Sequence, residues 1–135
     1  MSARGSVTLW VLGLVIGLMF LGGFAVDLWH AVAVRRELSA MADAAALAGA
    51  NGVDESELRA GRLVIDPERA HALVDDAIVA QSRADPLDGE RVEVAGNDVT
   101  VTLRDHVDFS LLSIFLGGQH FDVEVHATAR PQERR

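Results

Sequence analysis

The residues with the chemical reach to bind or catalyse are few, and most sit late in the chain. There are five histidines, His30, His71, His106, His120 and His126. Two of them open a His-x-Asp pair, His106-Val-Asp108 and His120-Phe-Asp122, and Glu124 and His126 continue the second pair at alternate positions. Alternate residues of a β-strand share a face, so two such strands side by side would gather imidazoles and carboxylates, which are ligands that zinc accepts. The same alternation describes an ordinary solvated sheet face, and that is the reading adopted, with no metal and no cofactor. His30 and His71 fall on helical patterns and read as surface residues. Asp75-Asp76 is a carboxylate pair, but neighbouring helix positions do not converge on one substrate atom. No Cys is present, which excludes thiol catalysis, disulfides and thiolate metal sites. The chain contains no G-x-S-x-G, no P-loop and no dinucleotide fingerprint. The expectation is therefore no enzyme, no catalytic residue and no small-molecule substrate.

The elements that would position these groups divide the chain in two. From Gly5 to Ala50 runs GSVTLWVLGLVIGLMFLGGFAVDLWHAVAVRRELSAMADAAALAGA. Val7 to Val26 carries no charge and is about the 20 apolar residues that cross a hydrocarbon core as a helix. A cleaved secretory signal is the competing reading. Its apolar core would be shorter, and Ala25-Val26-Asp27 matches the small-residue cleavage pattern poorly, so a retained membrane helix is expected. No proline interrupts Asp27 to Ala50, so one helix from about Val7 to Ala50 is predicted, nearly 70 Å long at about 1.5 Å per residue. Trp10 and Trp29 stand near the two ends of the span, where amphipathic rings favour the interface, and Asp27 stands at the exit, where it can be solvated. Gly13 and Gly17 form a G-x-x-x-G, which lets two helix backbones approach closely, although glycine is also simply frequent in membrane helices.

Beyond the membrane, Val34, Leu38, Met41, Ala45 and Ala48 recur at spacings of one helix face. They shrink towards the C-terminal end, so a packed element can come close there. Asn51-Gly52 reads as the helix stop. Asp54-x-x-Glu57 has capping-box spacing for a short helix to Ala60, ended by Gly61. Asp66-Pro67 reads as N-cap and first residue of a helix to about Gln81, with Ala70, Leu73, Val74, Ala77 and Ile78 on its apolar side. Asp85-Pro86 and Asp88-Gly89 mark a loop. The period then changes to two. Val92 and Val94, then Val99, Val101 and Leu103, alternate with polar residues around Gly96-Asn97-Asp98, which predicts a hairpin. Phe121, Val123, Val125, Ala127 and Ala129 give a third strand. The fold class expected is α+β, a three-stranded antiparallel sheet packed on helices, one face covered and one wet. Leu38, Met41, Ala45 and Ala48 are expected to meet Val101, Leu103, Val123 and Val125. Phe109 to Gly118, FSLLSIFLGG, is the most apolar stretch outside the span. It reads either as a buried lid or as a surface for a partner or the bilayer, with Leu112 and Phe115 as candidate contacts.

Charge narrows the partners. The net charge is −8 and every basic residue is Arg, so an acidic domain would repel phosphate backbones and nucleic acid is excluded as a partner. Roughly 80 residues remain after the long helix, a marginal size for an independent core, so the helix is expected to contribute to it. Orientation is not decided by charge. Arg4 and the amino terminus face Arg35 and Arg36 across the span, which is close to a tie under the positive-inside rule.

The order of features from Arg4 to about Ala50 carries a resemblance. A short tail ending in Arg-Gly-Ser precedes a Gly-rich apolar span, A-V-D at the exit, R-R-x-L about ten residues later and then ADAAALAGA. This resembles the N-terminal region of the tight-adherence (Tad/Flp) pilus-assembly proteins, TadE/TadG-like. The resemblance implies a pilin-like membrane protein with a cytoplasmic N-terminus and a domain outside the cell membrane. It also implies a structural or assembly role in a fibre related to type IV pili, with membrane lipid and other pilin-like proteins as partners. The alternative is a membrane-anchored extracytoplasmic module for another partner. On this reading residues 1–6 are a cytoplasmic tail, 7–26 the transmembrane helix, 27–50 its extracytoplasmic continuation and 51–135 a small α+β domain. Relatives cut by a prepilin peptidase usually have Gly before the bond and Glu five residues after it. Gly5-Ser6 supplies the bond here, but Trp10 stands where that Glu would be. The chain is also shorter than relatives that append a large adhesin-type domain.

Overall fold

The computed structural model describes residues 3–81, 86–108 and 120–132. The first helix, α1, spans Ala3–Ala50, 48 residues without a break. It begins earlier than the predicted Val7, because no residue of Ala3 to Ser6 carries a stop signal and a helix extends at little cost once nucleated. Gly22-Gly23, the weakest point for helix propensity, stays helical. Asn51 ends α1, its side-chain amide donating to Leu47 O at 3.0 Å and its backbone N–H to Ala48 O at 3.1 Å.

Two short helices follow. α2 is Glu55–Arg59 and α3 is Pro67–Val79. Asp54 caps α2 by accepting from Ser56 N at 2.7 Å and Glu57 N at 3.2 Å. Only half of the predicted capping box forms: Glu57 pairs with Arg62, and the Asp54 N–H goes to Val64 O. Gly61 takes φ +78°, a left-handed turn open to glycine, and reverses the chain after α2. Asp66 caps α3 through Glu68 N at 3.0 Å and Arg69 N at 3.4 Å, with Pro67 at the first turn. Between the helices, Val53 and Ile65 form an isolated antiparallel bridge, and Ile65 is buried.

The sheet has three strands, β1 (Gly89–Ala95), β2 (Asp98–Asp108) and β3 (His120–Ala129), in the order β1-β2-β3. β1 and β2 are antiparallel, with Val92 opposite Val101 and Val94 opposite Val99. They are joined by Gly96-Asn97, where Gly96 takes φ +64°, as a tight hairpin requires. Asn97 pins this turn to the loop before α3 by donating to Leu63 O at 2.8 Å. β2 meets β3 in opposite sequence order: Asp98 pairs with Arg130, Thr100 with Thr128 at 2.9 Å and Arg104 with Glu124 at 2.5 Å. These outer-face pairs are exposed, so each contributes little on its own. They fix register more than they add stability.

By contact density the chain forms two compact units, Met1–Ala33 with Val107–Phe121, and Val34–His106 with Asp122–Arg135. The second unit holds most of the core: Leu38, Met41, Ala42, Ala45, Ala46 and Ala50 of α1, Ile65, Ala70 and Val74, and Val99, Val101, Leu103, Val123, Val125 and Ala127 of the sheet. This is an α+β arrangement with a three-stranded antiparallel sheet packed against helices. α1 lies close against its neighbours near its end. A Cβ built on Gly49 would lie 2.8 Å from Val74 Cγ2 and 2.9 Å from Val99 Cγ1. One built on Gly52 would lie 2.8 Å from Ala70 N. The two glycines let α1 close against α3 and β2.

Candidate functional site

Two regions are candidates for a role beyond folding. One is the apolar length of α1 from Ser6 onwards. The other is the polar corner where the start of β1 meets the far end of β2.

From Ser6 to His30 every residue except Gly23 and Asp27 is exposed. That surface includes Trp10 at 78% and Trp29 at 73%, together with Leu, Val, Ile, Met and Phe side chains all round the helix. A helix apolar on every side belongs inside a membrane or a large core. This one is long and apolar enough to cross a membrane, and little of it is buried. Gly13 and Gly17 lie open on it, with no heavy atom within 4 Å of a built Cβ. A notch lined by Leu9, Trp10, Gly13 and Leu14 marks the first of them. Ser6 of the Gly5-Ser6 pair is helical and exposed.

Asp27 departs from expectation. It was expected to be solvated, yet it is only 3% exposed, and Gly23 one turn before it is buried too. Leu112 and Phe115 lie outside the described residues.

Of the residues proposed for helix–sheet packing, Leu38, Met41 and Ala45 are buried, whereas Ala48 is half-buried. The buried stripe of α1 also includes Ala42, Ala46, Gly49 and Ala50. Sequence reasoning passed over these because alanine and glycine carry little hydrophobic signal. Their small size at one helix face was the signal available.

At the sheet corner, the His-x-Asp alternation is split by an unforeseen neighbour. His106 Nδ1 lies 2.6 Å from Asp88 Oδ2, and Asp105 Oδ1 lies 3.9 Å from the same nitrogen. Asp105 is 6% exposed, on the face that also buries Leu103 and Val107, and its Oδ1 accepts from His106 N at 2.9 Å. Glu124 is engaged by Arg104. Nearby on the inner side of the edge strand, Glu90 sits opposite Leu103 and interacts with Asp75 of α3. Partial burial, and then the Asp75 charge and hydrogen bond, raise the Glu90 carboxyl above its usual range, while His71 opposes the shift. On the outer face, hydrogen bonding to Arg130 holds Asp98 below the usual carboxylate range.

Residues 5–52 match the family model Tad, described as Flp pilus-assembly TadE/G-like. No curated protein and no solved structure matches the chain. The match bears out the resemblance over the stretch where the residues carried it, roughly a third of the chain. It runs past the apolar span to Gly52, so it includes the small-residue end of α1 that closes on α3 and β2. It points to a role in Flp pilus assembly, and the one helix among the described residues that is long and apolar enough to cross a membrane fits a single-pass membrane protein.

Proposed function

We propose that this protein is a minor-pilin-like structural or assembly component of a Tad/Flp-type type IV pilus. In this reading residues 7–26 anchor it in the cell membrane, residues 1–6 lie in the cytoplasm, and residues 27–50 carry the α+β domain of 51–135 outside. The observation that supports it best is the exposed apolar length of α1, with Gly13 and Gly17 open, inside the stretch that matches the pilus-assembly family. An isolated apolar helix is satisfied by lipid. Two open glycines one turn apart also offer a place where a second helix backbone can come close. The role is one of contact, not catalysis, and the partners are membrane lipid and other pilin-like subunits.

The test is co-purification from membranes. The wild-type protein is expected to bring down other pilus-assembly subunits, and Gly13→Leu with Gly17→Leu to reduce that yield severalfold while the protein still inserts. Leu112→Ser with Phe115→Ser is expected to reduce it again if that segment is the second contact. A deletion strain with normal surface fibres and unaltered adhesion would favour the membrane-anchored binding module instead.

A further inference from the structure

α1 carries its own length gauge. Trp10 and Trp29 stand about 28 Å apart along it at ~1.5 Å per residue, close to the ~30 Å of a hydrocarbon core. Such rings settle at the membrane–water interface, and both are exposed. Their spacing puts the exit of the span at Trp29 and not at Val26, so Asp27 falls inside it. The burial of Asp27 permits this, because a buried carboxylate is not presented to lipid. The exposed apolar surface also continues past Asp27, through Leu28 to Val32. From Ser6 to Val34 the chain has no other Asp, Glu, Lys or Arg. The first exposed charges beyond the span are therefore Arg35 and Arg36.

We infer that Arg35 and Arg36 bind the phosphates of anionic phospholipids and fix the depth of α1 in the bilayer. The inference rests on α1 being a membrane anchor and adds the lipid that it selects. Counted along the helix, Arg35 and Arg36 lie about 9 and 10 Å beyond Trp29. The headgroup layer occupies roughly 5–8 Å outside each face of the hydrocarbon core. The long arginine stem lets the guanidinium reach back into that layer. A planar guanidinium matches phosphate oxygens with two parallel N–H donors. Both side chains are available for this. Arg59, Arg62, Arg69, Arg104 and Arg130 each pair with a carboxylate, whereas Arg35 and Arg36 form no ion pair among the described residues. Arg91, on the outer face of the sheet, is likewise exposed and unpaired among the described residues, which makes it a matched control. The chain's net charge of −8 repels anionic lipid, so a preference for such lipid has to come from these two side chains.

The experiment uses the full chain carrying Trp10→Phe, so that Trp29 alone reports, reconstituted in phosphatidylcholine vesicles. Part of the lipid is replaced by phosphatidylcholine or by phosphatidylglycerol with acyl chains brominated just below the headgroup. Quenching of Trp29 by the two is compared at equal mole fraction. The expected result is a preference for phosphatidylglycerol of ~5-fold or more, about the effect of one basic residue near the surface. Arg35→Gln with Arg36→Gln should abolish the preference, and Arg91→Gln should leave it unchanged. Circular dichroism establishes that each variant is folded. Equal quenching by the two lipids, a preference that survives the double substitution, or one that is lost with Arg91→Gln would each overturn the assignment. No quenching by either lipid would place Trp29 clear of the bilayer, and would overturn the anchor reading at this end of α1 along with it.

Discussion

Gly49 and Gly52 show what a single missing atom does in this molecule. At Gly49 an added methyl meets the methyl groups of Val74 and Val99, both on stiff, fully buried side chains. Overpacking of this kind costs about 1–3 kcal/mol, and alanine returns about 1 kcal/mol of helix propensity. Gly49→Ala should therefore lower stability by on the order of 1 kcal/mol. Gly52 lies beyond the helix and faces the Ala70 backbone, which cannot rotate away. Gly52→Ala should be the worse of the two, at about 2–3 kcal/mol, and thermal unfolding of the detergent-solubilised chain would rank them. Glu90 gives a prediction with the opposite sign. Its carboxyl is raised in the folded state, so its contribution is most favourable below the unfolded carboxylate range and is lost as pH rises through the folded value. Glu90→Gln should thus raise the melting temperature slightly at pH 7, by well under about 1 kcal/mol at so exposed a site. That gain should vanish near pH 4, and an unchanged difference across that range would contradict the Asp75 contact. Residues of this kind were the least legible in the sequence. Glycine at the end of a helix reads as punctuation, so its packing role is hidden. Asp105 breaks the apolar alternation of β2 and hides the strand's continuation to Asp108, while Asp88 looks like turn chemistry.

Elements were far more legible, because period and capping are local. The absence of proline from Asp27 to Ala50 carried the unbroken α1, and Asp66-Pro67 carried the start of α3. Alternation carried the strands and Gly96-Asn97 the hairpin. What could not be read locally was which neighbour each cap would choose: Glu57 turned to Arg62, leaving the Asp54 N–H to Val64. The packing proposed for α1 against the sheet can be tested at Ala45, which has no exposed surface. Ala45→Leu should overpack that seam and cost about 1–3 kcal/mol, seen as a lower melting transition. An unchanged transition would mean that another face of α1 covers Val101 and Val125.

For the whole molecule, the likeness to the pilus-assembly family was legible through the ensemble of N-terminal features, which is the stretch the family model matches. Orientation follows from the proposed role and is open to direct test. A cysteine at Thr128, an exposed position on β3, should react with a membrane-impermeant maleimide in intact cells. Labelling only after lysis would reverse the topology. Mass spectrometry of the mature N-terminus should find either the full chain or loss of Met1 to Gly5, with Trp10 weighing towards the full chain. The strand order β1-β2-β3 has one more consequence, for synthesis and export. Neighbours in the sheet are neighbours in the chain, so the hairpin can form early and quickly. Val123, Val125 and Ala127 nevertheless arrive last, and until they do one flank of Val101 and Leu103 stays uncovered. The domain therefore reaches its final state only after β3 has been translated, and on the proposed orientation this keeps the emerging chain pliable enough to be threaded through a translocation channel. A chain truncated before His120 should accordingly be caught by chaperones and proteases and not accumulate.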